Sequence, residues 1–204
     1  VSNPGMAHYR AMLRILAYVH QTRDRALVLQ PTDESQVTIY SDASWLTQLS
    51  VSGGLIFYRG CLVTWWSRRQ KSISHSSAEA EYFAASVASR EGLYIRDLLE
   101  DLGMPVKGPT PLLLDSKAAI SLTQDPVAFK KTKHILRAAH ELRDRCARGL
   151  YRAEYVEAAN QLADIMTKAL RVNLHRSMLG RILGRVASLS SGVDAPPPSD
   201  RPKN

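Results

Sequence analysis

Four acidic residues sit where a carboxylate needs a reason to be: Asp42 in "YSDAS", Glu81 in "SSAEAEY", Asp115 in "LLLDS" and Asp164 in "NQLADIM". Each has apolar neighbours, and a lone carboxylate among them is costly to desolvate. Singly, each has an ordinary reading. Asp115 caps the helix after it, Asp164 favours its own helix N-terminus through the dipole, and Glu81, like Glu79 beside it, faces solvent. Gathered together, they mean something else. Carboxylates in one place raise one another's pKa unless cations lie between them. Hard oxygen ligands suit Mg²⁺, which keeps waters and binds phosphate substrates. Two such ions activate a water and stabilise the leaving oxygen of a phosphodiester. That chemistry is a nuclease's.

The rest of the composition agrees. Among 204 residues, 27 Lys and Arg outnumber 19 Asp and Glu, a formal net charge of +8. Such a surplus favours a polyanionic partner, nucleic acid first, although solubility alone also explains it. No apolar run approaches the roughly 18 residues of a membrane helix, so no membrane is expected. "VSNPGMAHYRAML" lacks the plan of a signal peptide and does not begin with Met, as expected of a fragment or processed product. Cys61 and Cys146 have neither metal spacing nor a disulfide framework. The expected location is reducing and intracellular.

The elements that must bring the acids together can be read from periodicity. Residues 5–20 place Tyr9, Met12, Leu13, Leu16 and Val19 on one helical stripe, with Arg10 and Arg14 opposite. "QPTDESQ" is a linker, and a division falls near residue 33. "VTIYSDASW" reads as a strand, and "VSGGLIFYRGCLVTWWSRRQ" as two more folded about Arg59 and Gly60. Gly53 and Gly54 suggest a bulge or a close backbone approach. A long helix follows from Ala78 to Leu102, capped by Ser76 or Ser77 and weakened or bent at Gly92. "PTPLLLDS" is a buried parallel strand, "SKAAISLTQD" a short helix, and "KTKHILRAAHELRDRCARG" a helix burying Ile135, Ala139, Leu142 and Cys146. "LYRAEYVE" alternates as a strand. "NQLADIMTKAL" is a helix capped by Asn160, with Asp164 one turn in. The expected fold class is α/β, a five-stranded mixed sheet with helices on it. The expected domains are a helical connection over 1–33, the sheet domain over 34–172, and a short helical extension with a disordered Ser/Pro-rich tail over 173–204.

The segments "YSDASW", "SVSGGLIFYRGCLVTWWSRRQKSISHSSAEAEYFA", "LLLDSKAAI", "KTKHI" and "AEYVEAANQLADIMTKAL" resemble, in order, the ribonuclease H region of copia-type LTR retrotransposon polyproteins. "SNPGMAHYRAMLRILAYVHQT" resembles the stretch between polymerase and ribonuclease H in that family. The resemblance implies a ribonuclease H fold and hydrolysis of the RNA strand of RNA–DNA hybrids during reverse transcription. It implies Asp42, Glu81, Asp115 and Asp164 as catalytic metal ligands, two Mg²⁺ ions with Mn²⁺ as a substitute, and the remainder of the reverse transcriptase as a partner. Nothing in the chain resembles a polymerase catalytic site. Two departures stand out. The family's Asn after the third acid is Ser116 here. The loop before the last acid holds no His, as is common in copia-type sequences, which leaves the proton shuttle unassigned. An integrase of the same fold would place its last acid, a Glu, after the second Asp; this order differs. The alternative function is a catalytically silent nucleic-acid-binding remnant or a structural part of a larger reverse transcriptase.

For substrate contacts the candidates are Arg68, Arg69 and Lys71 at a strand end, Lys133 in the run "FKKTK", His134, and Ser76, Ser77 and Ser116. Basic side chains there meet phosphates or form a solvated face. His134 contacts phosphate, shuttles a proton or simply starts a helix. The serines read 2′-hydroxyls or cap helices. Between the paired glutamates the choice is geometric. Residues two apart lie about 200° around a helix, and Glu81 shares its side with Ala84, Ala85 and Ala88, small enough to lie close to a sheet. Glu81 is the ligand and Glu79 the bystander.

Overall fold

The computed structural model describes residues 3–32, 36–45, 49–124 and 136–184, apart from the side chains of 136–139. Its elements run α1 (Met6–Thr22), β1 (Val37–Ser44), β2 (Val51–Tyr58), β3 (Cys61–Arg69), α2 (Ser77–Asp101), β4 (Thr110–Leu114), α3 (Lys117–Gln124), α4 (Leu136–Ala147), β5 (Tyr151–Tyr155), a 3₁₀ turn (Ala158–Asn160), α5 (Asp164–Thr167) and α6 (Val172–Leu183). The five strands form one sheet in the order β3-β2-β1-β4-β5. β1, β2 and β3 pair antiparallel, whereas β4 lies parallel to β1 and β5 parallel to β4. The expected mixed sheet is thus present.

Period-2 alternation sorts the strand residues onto two faces. Val37, Ile39, Ile56, Leu112 and Leu114 point to the face covered by α2, α3 and α4, where they meet Tyr82, Ala85, Ala88 and Leu142. Leu55, Phe57 and Leu62 point to the other, where Leu162 and α6 residues Met178 and Ile182 cover them. The division expected near 172 therefore falls just ahead of a helix that packs onto the sheet. α1 is different: none of its residues is buried, and its apolar stripe, Leu13 and Leu16 included, stays exposed among the described residues. No helix of the described residues is long and apolar enough to cross a membrane. The tail expected to be disordered lies outside the described residues from 185 onward.

Glycines mark where the chain turns and where layers touch. The β2–β3 hairpin turns on Arg59 and Gly60, both with positive φ (51° and 77°), the pattern that matches strand twist in a two-residue loop. α2 and α4 end alike, with Gly103 and Gly149 at positive φ. In each, the next residue's N–H returns to a carbonyl of the last turn, Met104 to Leu99 and Leu150 to Arg145. The bulge in β2–β3 lies between Ile56 and Phe57, not at Gly53 or Gly54. Those two serve close approach instead. A Cβ on Gly54 would stand 2.1 Å from the Trp66 ring, and one on Gly53 2.6 Å from Met166 Cβ. Gly92 lets α2 press on the sheet, since a Cβ there would lie 2.3 Å from Ile39 Cδ1. Trp66 is buried and Trp65 exposed, as alternation requires. Gly54→Ala is expected to cost about 3 kcal/mol, because a buried indole has no room to retreat; a urea unfolding midpoint unchanged from wild type would refute this.

Candidate active site

Strand register brings the first two acids together. β1 and β4 run parallel with Ile39 opposite Leu112 and Tyr40 opposite Leu113. Two residues further on, Asp42 and Asp115 leave the carboxyl ends of adjacent parallel strands, where α/β sheets commonly place their sites. Asp42 is fully buried. Glu81 enters from above on the second turn of α2. The small residues Ala80 and Ala84 pack on Ala43 and let that helix come close. Its Oε2 accepts a hydrogen bond from Ala43 N–H (3.1 Å), one residue past Asp42. Carboxylate oxygens of Asp42, Glu81 and Asp115 lie within 4.8 Å of one another, the one such group among the described residues.

Asp164 arrives differently from the sequence expectation. It is the first residue of a four-residue helix, and Ala163, not Asn160, occupies the cap position. Asn160 ends the preceding 3₁₀ turn, and its Oδ1 accepts from Arg181 on α6 (3.1 Å). The interruption has a cause in Gln161. Its side chain is fully buried, donates to the carbonyl of Ser41 (3.0 Å) and accepts from Ala163 N–H (3.2 Å). A side chain that pins the chain to β1 here prevents one continuous helix. Gly53, the cross-strand partner of Asp42, then leaves room for Met166 and Thr167. Thr167 Oγ1 donates to Asp42 Oδ2. Lys168 Nζ donates to both Asp42 Oδ1 (3.0 Å) and Asp164 Oδ1 (2.8 Å). Asp164 is thus joined to the trio through a lysine. Gln161, Thr167 and Lys168 went unremarked in the sequence, although all three belong to the segment "NQLADIMTKAL".

The electrostatics follow from this crowding. Burial, then the charges of Asp42 and Asp115, push the Glu81 carboxyl up to about 9, against the pull of Lys168 and the Ala43 N–H. Asp115 is raised by burial and by Asp42. Asp164 is raised chiefly by burial, with Lys168 opposing. Burial alone would lower the Lys168 ammonium, but its bonds to Asp164 and Asp42 outweigh that and raise it. Three hard oxygen donors from three elements, with repulsion that one ammonium only partly offsets, fit a divalent cation of the Mg²⁺ type.

Three of the remaining candidates, Ser76, Ser116 and Arg68, have local partners. Ser76 Oγ accepts from Glu79 N–H (3.2 Å) and Glu79 accepts from His75 N–H (2.9 Å), a reciprocal cap on α2 that the S-x-x-E spacing announces. Ser77 opens α2 and is exposed. Ser116 Oγ accepts from Ala119 N–H (3.1 Å) at the start of α3. Arg68 pairs with Glu91 on α2 (2.9 Å), while Arg69 and Lys71 are exposed at the end of β3. Lys133 and His134 lie outside the described residues. Because Glu79 caps and Glu81 faces the acids, Glu81→Gln is expected to reduce divalent-ion affinity at least tenfold and Glu79→Gln less than twofold. Calorimetric Mn²⁺ titration of both variants checks this, and equal losses would show the assignment to be wrong.

No protein-family model matches the chain. It is 32% identical over 171 residues to the retrovirus-related Pol polyprotein from transposon RE2 of Arabidopsis thaliana, covering 82% of this chain and 12% of that protein. It is 30% identical over 200 residues to the Pol polyprotein from transposon RE1 of the same plant, covering 96% and 13%. Its match to the Pol polyprotein from transposon TNT 1-94 of Nicotiana tabacum is 28% identical and covers 85% and 13%. The chain therefore spans about an eighth of the length of these relatives. Among solved structures, LC11 ribonuclease H1, isolated from compost, superposes with a TM-score of 0.52 at 16% identity, covering 66% of this chain and 94% of that one. Sequence relationship along most of the chain and the shared sheet and helices lead to one conclusion: the chain belongs to the copia-type family of retrovirus-related transposon Pol polyproteins, in a segment that has the ribonuclease H fold.

Proposed function

We propose that this chain is a metal-dependent endonuclease that hydrolyses the RNA strand of RNA–DNA hybrids during reverse transcription, as part of a longer reverse transcriptase polyprotein. The observation that carries the reading is the convergence of Asp42, Glu81 and Asp115 from β1, α2 and the end of β4 within 4.8 Å. The Pol polyprotein relatives and a fold shared with a protein named ribonuclease H1 support it. Bound Mg²⁺, or Mn²⁺ in its place, supplies an activated water and charge stabilisation at the phosphodiester. The chain's own residues hold the ligands in place. Thr167 orients the Asp42 carboxylate, Ala43 N–H orients Glu81, and Gln161 ties the α5 segment to β1. Arg69 and Lys71 at the end of β3 are the candidate phosphate contacts among the described residues.

The direct test is cleavage of a labelled RNA–DNA hybrid beside matched double-stranded RNA and DNA, with Mg²⁺, Mn²⁺ or chelator. The expected result is cut RNA only in the hybrid and only with divalent ion, leaving 3′-hydroxyl and 5′-phosphate ends. Hybrid binding without turnover in either metal would favour the silent remnant instead.

A further inference from the structure

Lys168 is placed as a cation would be. Its ammonium lies 3.0 Å from Asp42 Oδ1 and 2.8 Å from Asp164 Oδ1. It stands four residues after Asp164, at the C-terminal cap of α5. The same short helix sends Thr167 to the other oxygen of Asp42. Asp42 therefore has both oxygens engaged by α5, and Asp164 has its own bond to Lys168, while Glu81 and Asp115 have no such counter-ion within bonding distance among the described residues. The four acids divide into two unequal edges: Asp42 with Glu81 and Asp115, short of positive charge, and Asp42 with Asp164, already bridged by one.

We propose that Lys168 is a positioning residue that acts as a resident cation on the Asp42–Asp164 edge, so that the free protein takes up a single divalent ion, at Asp42, Glu81 and Asp115. This rests on the metal-dependent reading above. A tethered ammonium and an incoming ion compete for the same lone pairs on Asp42 and Asp164, and the ammonium is present at effectively high local concentration because α5 carries it. A second ion gains that edge only when the ammonium leaves. Nucleic-acid phosphate, the substrate's own anion, is the group with the charge to draw it off.

The experiment is a Mn²⁺ titration without nucleic acid, with free ion read by electron paramagnetic resonance. It compares the wild-type chain with Lys168→Met, which keeps the length and removes the charge, and with Lys168→Arg. The expected stoichiometry is one ion for wild type and for Lys168→Arg, and two for Lys168→Met over the same range. A wild-type stoichiometry of two, or a well-folded Lys168→Met that binds only one, overturns the role of Lys168 and leaves the metal reading intact. No Mn²⁺ bound by wild type at all removes the metal reading and this inference with it. Should Lys168→Met fail to fold, Asp164→Asn decides: affinity for the first ion within about twofold of wild type is expected, and a tenfold loss would show that Asp164 already ligates that ion.

Discussion

Asp42→Asn is expected to reduce cleavage of a labelled RNA–DNA hybrid by at least about a thousandfold, equivalent to some 4 kcal/mol of barrier, while the metal-free protein stays folded. Asp42 is the one acid that touches every other part of the site. It shares the ligand cluster with Glu81 and Asp115 and meets α5 through Thr167 and Lys168. Asparagine fills the same volume in a fully buried place, so packing is preserved. Electrostatically the change works both ways. Lys168 keeps Asp164 but loses a charged partner. Glu81 and Asp115 each lose a repulsive neighbour, since after burial the Asp42 charge does most to raise both. Removing a carboxylate from an unmetallated cluster therefore leaves stability near wild type or above it, the opposite of the usual cost of deleting a buried charge from a matched pair. Single-turnover cleavage in Mg²⁺ and thermal unfolding in chelator check the two halves. Cleavage within tenfold of wild type would rule out Asp42 as a metal ligand for the reaction.

How much of this could be read beforehand depended on whether a local rule or a long-range contact decided the matter. The sheet was legible because "VTIYSDAS" and "LLLD" carry strand patterning through to their acids, and parallel register then sets Asp42 beside Asp115. Glu81 was separable from Glu79 because a helix turns by a fixed angle per residue. The final segment was misread. Its composition favours a continuous helix, but Gln161 bonds to a carbonyl 120 residues away in sequence, and no local rule foresees that. Gly92 lowers the helix propensity of α2, and only the contact with Ile39 across the layers gives the reason for it. Lys168 was missed for a related reason. A lysine in a basic chain reads as surface charge, and only the fold shows two acids at either side of it.

Stability of the metal-free protein is expected to fall as pH rises from 6 to 9, and Mg²⁺ is expected to flatten that slope. The sign follows from linkage. The Glu81 carboxyl is ordinary in the unfolded chain, near 4.5, and lies at about 9 in the folded one. Between those values the folded state keeps a proton that the unfolded state has released, so each rise in pH favours unfolding, by up to about 1.4 kcal/mol per unit for one proton. Asp115 and Asp164 are raised as well, by burial first, and act in the same direction. Lys168 is also raised, but its contribution is complete below its unfolded value of 10.5 and is lost only above it, outside the range tested. Above about pH 9 the Glu81 penalty is fully present and constant. A divalent ion at Asp42, Glu81 and Asp115 binds the ionised form, so it displaces the proton and is bound more tightly as pH increases. Urea unfolding at pH 6, 7.5 and 9, in chelator and in saturating Mg²⁺, therefore has a defined pattern. The chelator series declines, the Mg²⁺ series is flatter, and the gap between them is widest at pH 9. Glu81→Gln, which cannot ionise, should flatten the chelator series without metal. A chelator series that rises or stays level across that range would mean that the three carboxylates do not crowd one another in solution, and the argument for a cation among them would lose its physical basis.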